Sequence, residues 1–298
     1  MKNIFYFLIF PGFLFTAVVG LLITWVDRKV TARLQWRVGP PWYQPFADFF
    51  KLLGKELIIP EGSLKWLFLL CPLIGFIAVL LVSIILWTAI IYPAGGFAAD
   101  LIVVLYLSML PALSVIMGGF ASKNPLASLG ASREMKMALS YELPFLISVF
   151  VPVIIARGEI NLSGLLEFQQ RNIHFLAHPS LILAFITAII CAQAKLTLIP
   201  FDAPEAEAEI MGGAYIEYSG AALAFYKLTR AMNFFVMPVF LAVIFLGGNM
   251  FFLPLIIVVM IILKNTNPRV RIDQAVKFFW GPVAAIAVLA ALLAFAGF

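Results

Sequence analysis

The sequence predicts an all-α polytopic membrane protein, with about eight transmembrane helices forming one transmembrane domain over residues 1–298. Of its 298 residues, 63% are hydrophobic and only 12% are charged, and the hydrophobic residues form long uninterrupted runs. Such runs are typical of membrane spans, because a helix needs about 20 consecutive apolar residues to cross a bilayer. The expected spans are residues 4–26, 66–91, 101–120, 137–156, 181–199, 221–246, 250–263 and 279–298.

The distribution of basic residues predicts the orientation of these spans. Of 20 Lys and Arg residues, only Arg157 and Arg171 fall in the loops after spans two, four and six. Most of the others lie in or beside the loops after spans one, three, five and seven, and basic residues collect in cytoplasmic loops. We therefore expect both termini on the outer side. The net charge of +5 reflects this sidedness, so no nucleic-acid partner is expected.

The first cytoplasmic loop, residues 27–65, contains a predicted amphipathic helix over residues 46–57. Its apolar residues recur at the spacing of one helical face, at Phe46, Phe49, Phe50, Leu53 and Leu57. Asp48, Lys51 and Lys55 fall on the other side. The pattern fits two interpretations equally well: a passive anchor in the membrane interface, or a helix docked under a partner.

The loop before span six is strongly acidic. Residues 201–220 hold five carboxylates, at Asp202, Glu205, Glu207, Glu209 and Glu217. A charge near hydrocarbon costs about 3 kcal/mol on insertion scales, so acids grouped beside spans indicate a functional site. Asp202 and Glu205 resemble a capping-box helix start that would place Glu205 and Glu209 on one face, where repulsion and partial burial favour proton uptake. A solvated acidic helix facing the cytoplasm is the alternative.

Further charges lie inside or beside the spans. Glu142 falls within span four, while Lys227 and Arg230 share one face of span six and are its natural countercharges, because intramembrane ions are usually paired. Isolated snorkelling at helix ends fits Lys136 and Lys264 better than it fits Glu142.

These charges suggest a polar pathway from the cytoplasmic surface into the bilayer. Its expected members are Glu142, Glu205, Glu207, Glu209 and Glu217 with Lys227, Arg230 and Arg33 or Arg37. The Gly212-Gly213 pair would act as a hinge between the acids and the next span.

No catalytic residue, metal site or redox centre is expected on this chain. Cys71 and Cys191 lie alone in predicted spans, whereas an iron–sulfur centre needs about four thiolates and zinc needs grouped Cys or His. Redox chemistry is therefore expected in partner subunits.

Six motifs carry a resemblance to a known family. They are Arg33-x-Gln35-x-Arg37-x-Gly39-Pro40, Gln44-Pro45-x-Ala47-Asp48-x-x-Lys51-Leu52-x-x-Lys55-Glu56, Tyr141-Glu142-Leu143-Pro144, Pro200-Phe201-Asp202-x-Pro204-Glu205-Ala206-Glu207-Ala208-Glu209, Glu217-Tyr218-Ser219-Gly220 and Pro268-Arg269-x-Arg271-x-Asp273-Gln274. Together they resemble the subunit-1 family of respiratory complex I. That family also includes the membrane-anchor subunits of energy-converting membrane-bound NiFe hydrogenases and formate hydrogenlyases.

The resemblance implies a subunit of an oxidoreductase complex in the cytoplasmic (inner) membrane of a prokaryote. Its implied partners are a peripheral arm of iron–sulfur and hydrogenase-like large and small subunits, small membrane subunits and antiporter-like subunits. Iron–sulfur clusters and a NiFe centre would belong to those partners, with quinone as a further cofactor of the junction. The acidic loop would relay redox-driven charge changes to subunits that pump H+ or Na+.

The resemblance also implies roles for residues. The implied docking or quinone-pocket residues are Arg33, Gln35, Arg37, Gln44, Asp48, Lys51, Lys55, Glu56, Arg133, Tyr141, Arg269, Arg271 and Asp273. The implied proton or ion path comprises Glu142, Asp202, Glu205, Glu207, Glu209, Glu217, Lys227 and Arg230.

One departure separates the relatives. In the quinone-reducing branch, a Glu-Tyr pair usually follows the Glu-Tyr-Ser-Gly motif in the next span, and here Arg230-Ala231 stand there. This favours the anchor of a ferredoxin-linked, hydrogen-evolving complex, with a quinone-reducing complex I-like enzyme, fed by NADH or another donor, as the alternative. A stand-alone secondary ion transporter is a third class, for which internal repeats and broken helices would be expected.

Overall fold

The computed structural model describes residues 7–92, 99–172 and 178–297, and all regular secondary structure within these ranges is helical. The helices are α1 (Phe13–Leu34), α2 (Gln44–Leu53), α3 (Lys65–Ile91), α4 (Asp100–Ala121), α5 (Pro125–Ile155), α6 (Leu162–Asn172), α7 (Pro179–Lys195), α8 (Glu207–Ile210), α9 (Gly220–Phe245), α10 (Leu253–Thr266) and α11 (Ile272–Phe295). Each predicted span overlaps one of these helices, in the predicted order. Span one, predicted over residues 4–26, is shifted along the chain, since α1 begins at Phe13 and ends at Leu34.

The long helices confirm the prediction of an all-α, multi-pass membrane protein. Five helices, α3, α4, α5, α9 and α11, are long and apolar enough to cross a membrane, and α7 and the segment Met250–Thr266 are shorter apolar helices. Helix α1 is apolar from its start to Val26 and becomes charged from Asp27 onward. The side of the membrane that each terminus faces stays a prediction.

Helix α9 lies at the centre of the bundle. Within its most apolar stretch, 94% of the residues are buried, and the helix packs against α1 and α3. Gly20 of α1 touches the α9 backbone directly, since a Cβ atom at Gly20 would lie 2.5 Å from the carbonyl oxygen of Ala231. On another side of the bundle, α5 packs against α7 and α11. The charges on α5, α7 and α9 are thereby held near one another.

Several helices continue beyond the predicted ends of their spans. Arg33 lies in the last turn of α1, Arg133 lies within α5, and Asp273 lies in the first turn of α11. The predicted loops 27–65, 121–136 and 264–278 are correspondingly shorter. A run of apolar residues marks only the part of a helix inside hydrocarbon, because polar residues continue the helix at no cost once it reaches water. Span five is shorter than predicted at its end, since it was expected to reach residue 199 and α7 ends at Lys195.

The amphipathic helix of the first loop is confirmed, with earlier ends than expected. Helix α2 runs from Gln44 to Leu53 and is followed by Gly54, so Leu57 lies outside it. Of its predicted apolar face, Phe46 and Phe49 pack against the hydrophobic core beside α9 and α1. Phe50 and Leu53 are exposed, so the prediction of one apolar face is confirmed only in part. Gly54 weakens continuation of the helix because glycine loses more backbone entropy there than other residues do.

The connections that are richest in charged residues meet at one end of the bundle. They are residues 35–64, 122–124, 196–219 and 267–271. The Leu64 amide donates to the Ala121 carbonyl oxygen at 3.1 Å, and the Val270 amide donates to the Pro200 carbonyl oxygen at 3.0 Å. We call this end the acidic end, because it carries residues 201–220. The opposite end carries α6 and the turn between α9 and α10.

Candidate functional site: charged groups at the acidic end

The acidic loop folds as separate short turns, so the predicted capping-box helix is not formed. A 3-10 turn over Ala203–Glu205 precedes α8, and a second 3-10 turn spans Gly213–Tyr215. Asp202 makes no capping hydrogen bond, and Ala206, at ψ 99°, interrupts the helical path between Glu205 and Glu209. One continuous helix would point these acids along one face, away from the cations that they reach in this fold.

Three acids of the loop form ion pairs with cations on three different elements. The pairs are Asp202 with Arg269 at 2.9 Å, Glu205 with Arg230, and Glu209 with Arg133 at 2.5 Å. The expected repulsion of Glu205 and Glu209 along one helix face is therefore wrong. The loop is instead held across α5, α9 and the connection before α11.

Asp202 is the most buried of these three acids, with its side chain 13% exposed. Burial raises the pKa of this carboxyl, and the positive charge of Arg269 opposes that rise. Arg230, in turn, donates to both the Glu205 carboxylate and the carbonyl oxygen of Thr197. The start of the loop is therefore tied to α9 through one guanidinium group.

Glu142 is paired inside the bundle, but with a residue that sequence reasoning missed. The Lys195 Nζ atom lies 3.1 Å from both Glu142 oxygens, and the two side chains are 1% and 12% exposed. The same ammonium group lies 4.7 Å from the centre of the Phe145 ring. The expected countercharges of Glu142, Lys227 and Arg230, are thus wrong for this acid. The signal was present, since Lys195 ends an apolar run and an intramembrane cation requires a partner.

Lys264 is also paired, which corrects the expectation of an isolated snorkelling charge. Its Nζ atom lies 2.6 Å from Asp27 Oδ2 and joins α10 to α1. The other oxygen, Asp27 Oδ1, is buried without a hydrogen-bond partner among the described residues. Lys136, by contrast, is exposed.

The end of the acidic loop is fixed by neutral partners. The Asn124 side chain donates to Glu217 at 2.5 Å while its own oxygen accepts from the Leu126 amide at the start of α5. The Tyr218 hydroxyl donates to the Phe68 carbonyl oxygen at 3.1 Å. Gly212 and Gly213 have φ values of 93° and 58°, which favour glycine, and their role as a hinge stays a prediction. The side chain of Glu207 lies outside the described part of the structure.

A small cavity with several polar lining groups, the inner chamber, lies between the loop and Lys195 of the buried pair. It has a volume of about 50 Å³ and lies between α4, α5, α7, α9 and the acidic loop. Its charged and titratable lining residues are Glu134, Lys195, Glu205, Tyr215, Tyr226 and Arg230. Two of the predicted path residues, Glu205 and Arg230, therefore share one cavity with Lys195 and with a carboxyl group that was not predicted, that of Glu134.

A larger cavity, the outer cavity, lies beside the same ion pair. Its volume is about 390 Å³ and it opens toward the surface of the acidic end. Its polar lining comprises Glu205, Tyr215, Tyr218, Tyr226, Lys227 and Arg230. Lys227, which makes no ion pair with any described residue, thus contributes a cation to this cavity.

Most of the predicted docking residues lie on the surface of the acidic end. The exposed ones are Arg33, Gln35, Arg37, Lys51, Lys55, Glu56, Arg269, Arg271 and Asp273. Three tryptophans that were not predicted share this surface, with Trp36, Trp66 and Trp42 exposed by 98%, 91% and 61%. Tyr141 differs from the rest, since it is buried in the bundle against Phe279. The docking roles stay predictions.

Asp48 is held within its own loop. Its carboxylate accepts from Arg28 at 3.0 Å and from Gln44 at 2.9 Å. Although partial burial acts to raise it, the hydrogen bonds from Arg28 and Gln44 and the charge of Arg28 bring the pKa of Asp48 below its ordinary value. This pairing orients α2 relative to the end of α1.

No group of three metal-ligating residues occurs among the described side chains.

Comparison with known proteins gives consistent results. Residues 7–295 match the family described as NADH dehydrogenase. The chain is 34% identical over 285 residues to a subunit of NADH-quinone oxidoreductase from Geobacillus sp. (strain WCH70), covering 88% of this chain and 84% of that protein. It is also 34% identical over 287 residues to the corresponding NADH-quinone oxidoreductase subunit from Rhodospirillum rubrum, covering 87% and 83%.

One solved structure is similar over nearly the whole chain. It is that of the membrane-bound sulfane sulfur reductase (MBS), an archaeal respiratory membrane complex. The similar chain superposes with a TM-score of 0.82 at 27% sequence identity, covering 94% of this chain and 96% of that one. The fold and the arrangement of helices are therefore shared with a chain of a respiratory membrane complex.

Proposed function

The chain belongs to the NADH dehydrogenase family of membrane subunits, and on that premise we propose that it couples redox chemistry in a docked peripheral arm to ion movement in neighbouring membrane subunits. Its family relatives are subunits of oxidoreductase complexes, so it acts as a membrane-anchor subunit in a complex of this kind. The coupling role is the proposal. The complex would lie in the cytoplasmic membrane of a prokaryote, with antiporter-like and small membrane subunits beside this chain.

One observation carries the coupling role. A series of charged groups leads from the acidic loop, through the Glu205–Arg230 pair and the inner chamber, to the buried Glu142–Lys195 pair. Opposite charges in a low-dielectric interior act on one another more strongly than they would in water. A change of charge at the surface would therefore alter the balance of each pair along the series.

The coupling would begin with electron transfer in the peripheral arm. Arg33 and Arg37 are exposed at the acidic end and make no ion pair with described residues, so they are available to an acidic partner surface. The acidic loop would respond by moving about Gly212-Gly213 or by taking up a proton. Glu142 would pass the change to antiporter-like subunits that move H+ or Na+.

For the electron acceptor, we favour protons, reduced to hydrogen by electrons from ferredoxin. Iron–sulfur clusters and a NiFe centre in the arm would perform this chemistry. The support is Arg230, which pairs with Glu205. It stands where the resemblance implies an acid for the quinone-reducing branch. This arrangement commits the site to an internal ion pair.

Quinone reduction is the second candidate, and the outer cavity favours it. Its volume of about 390 Å³ lies within the range of about 300–1,000 Å³ that is typical of small-molecule sites. The hydroxyl groups of Tyr215 and Tyr218 and the ammonium group of Lys227 line it, and such donors suit the carbonyl oxygens of a quinone head group. The curated relatives at 34% identity are subunits of quinone oxidoreductases.

The test is a set of parallel assays on the solubilised native complex. Hydrogen evolution from reduced ferredoxin or a viologen is measured beside reduction of a short-chain quinone and of an organic trisulfide. Hydrogen evolution alone supports the favoured acceptor. Inhibitor-sensitive quinone reduction would replace it with the second candidate, and trisulfide reduction alone would assign the chemistry of the structurally similar complex.

A separate experiment tests the coupling role. The complex is reconstituted into proteoliposomes, and ion uptake is measured during turnover with whichever acceptor is active. Uptake that depends on turnover and stops with an ionophore is expected. Turnover without any ion uptake would exclude a coupling role and leave only an anchoring role. Ion uptake by the isolated chain would indicate a stand-alone transporter.

A further inference from the structure

Glu134 is a buried carboxyl group that neither the predicted path nor the docking surface includes. The residue is 3% exposed and lies within α5, directly after the ion-paired Arg133. Within the described chain it makes no ion pair and accepts no hydrogen bond from a side chain. Burying a carboxylate without a partner costs free energy, so burial favours the neutral, protonated form of such a group.

The surroundings of Glu134 are polar on several sides. The charged and titratable groups that share the inner chamber with it are Lys195 from α7, Tyr226 and Arg230 from α9, and Glu205 and Tyr215 from the acidic loop. The residues that α4 contributes are uncharged, at Pro111, Ala112 and Val115. The chamber therefore offers both cations and hydroxyl groups to a carboxyl group at this position.

The size of the chamber suits water. A buried water needs a cavity of at least about 10–15 Å³ and two to four polar partners, so a chamber of about 50 Å³ has room for a few waters. Hydrogen-bonded waters between Glu134 and Lys195 would give a proton a path that the direct contacts lack. A quinone head group, by contrast, does not fit a chamber of this size.

The position of Glu134 along α5 places it between the two ion pairs. Glu134 precedes Glu142 by eight residues, or about 12 Å along the helix axis, a distance that no direct hydrogen bond spans. Lys195 closes this gap, because its Nζ atom contacts both Glu142 oxygens while the residue also lines the chamber. Glu205 and Arg230 line the same chamber.

We propose that Glu134 is a proton-holding residue that exchanges a proton with water in the inner chamber, between the Glu205–Arg230 pair and the Lys195–Glu142 pair. While Glu205 neutralises Arg230, Glu134 carries the proton. When the loop moves and Glu205 leaves, the unpaired Arg230 charge stabilises the Glu134 carboxylate, and the proton passes to a chamber water. No electron is transferred in this step. The proposal rests on the proposed coupling function and adds a specific residue to it.

The first test is spectroscopic and is independent of ion pumping. Infrared difference spectra of the whole complex are recorded between low and high pH for the wild type, Glu134→Gln and Glu167→Gln. Glu167 is a matched control, since it is an exposed glutamate at the opposite end. A carboxylic-acid C=O band that is lost in Glu134→Gln and kept in Glu167→Gln is expected. Identical spectra for all three would overturn the proposal.

The second test separates coupling from electron transfer. In proteoliposomes, Glu134→Gln is expected to retain acceptor reduction and lose ion uptake per electron, while Glu134→Asp, which keeps the carboxyl group, regains part of it. Wild-type uptake in Glu134→Gln would overturn the proposal. If the wild type itself shows no uptake, the coupling function fails instead, and the infrared result still decides whether Glu134 holds a proton. If Glu134→Gln does not assemble, Glu134→Asp decides: a shifted carboxylic-acid band supports the proposal and an unchanged spectrum contradicts it.

Discussion

The two ends of the helical bundle join their helices and connections through different kinds of side-chain contact. At the acidic end, side chains of opposite charge join different elements, as in the Glu142–Lys195 and Glu205–Arg230 pairs. At the opposite end, polar side chains bind backbone groups, as when Asp100 accepts from the Leu162 amide at 2.8 Å. Among the described residues of that end, the ion pair is Arg171–Glu167, which is exposed and lies within α6.

The two kinds of contact respond differently to a change of charge. A side chain that binds a backbone amide or carbonyl has one fixed arrangement, whereas two paired charges respond to any third charge that approaches. Buried ion pairs are also weak evidence for stability, because desolvation offsets most of their attraction. The concentration of such pairs at one end is consistent with the proposed coupling role, which depends on changing charge.

The largest expected effect comes from removing one partner of the buried pair. Lys195→Met leaves the Glu142 carboxylate buried without its cation, so we expect a loss of about 3–5 kcal/mol in the free energy of unfolding. The loss would appear as a lower thermal midpoint of the purified complex. Lys195→Met combined with Glu142→Gln should recover much of it, because no unpaired charge remains. A double variant as unstable as the single one would contradict this account.

A smaller effect is expected at the opposite end. Gln169 donates to the Ile244 carbonyl oxygen and accepts from the Gly247 amide at 2.8 Å. Gln169→Leu leaves these backbone groups unsatisfied, which should cost about 1–3 kcal/mol in the free energy of unfolding. The comparison of the two ends requires that coupling is untouched: ions moved per electron should equal the wild-type value. A reduced ratio in this variant would remove the distinction between the ends.

The smallest effect is expected at the surface of the acidic end. The Arg28–Asp48 pair is exposed, so Asp48→Asn should lower the free energy of unfolding by about 0.2–1 kcal/mol. Because the pKa of Asp48 is lowered from its ordinary value of 3.8, its contribution is present above that value and is lost as the pH falls through the lowered pKa. Thermal midpoints of wild type and variant should therefore differ at neutral pH and converge in acid. A difference that persists in acid would assign the effect to packing.

The fold could be predicted from the sequence because a helix that crosses a bilayer needs an apolar run of about 20 residues. Helices formed at all eight predicted spans in the predicted order, and Phe46 and Phe49 of the predicted α2 face pack against the core, whereas Phe50 and Leu53 are exposed. The end of α2 could also have been predicted from Gly54, since glycine is common at the C-terminal ends of helices.

The pairing of charges did not follow, because partners lie far apart in the chain. Glu142 and Lys195 are 53 positions apart, and Arg133 and Glu209 are 76 apart. Local sequence patterns do not show which acid pairs with which cation, since the signs of the charges allow several pairings. Glu134 was missed for a related reason: next to Arg133, it looks like one half of a surface pair, and only the packing of α5 against the acidic loop buries it.

The central claim is that the Glu142–Lys195 pair carries coupling, and one measurement tests it most directly. Ions moved per electron are measured in proteoliposomes for wild type, Glu142→Gln and Gln169→Leu, with acceptor reduction followed in the same samples. Glu142→Gln leaves Lys195 without its anion, so we expect a lower thermal midpoint. We nevertheless expect this variant to assemble and reduce the acceptor while ion movement is lost, and Gln169→Leu, which is also destabilised, to keep the wild-type ratio. Full ion movement in Glu142→Gln would contradict the account.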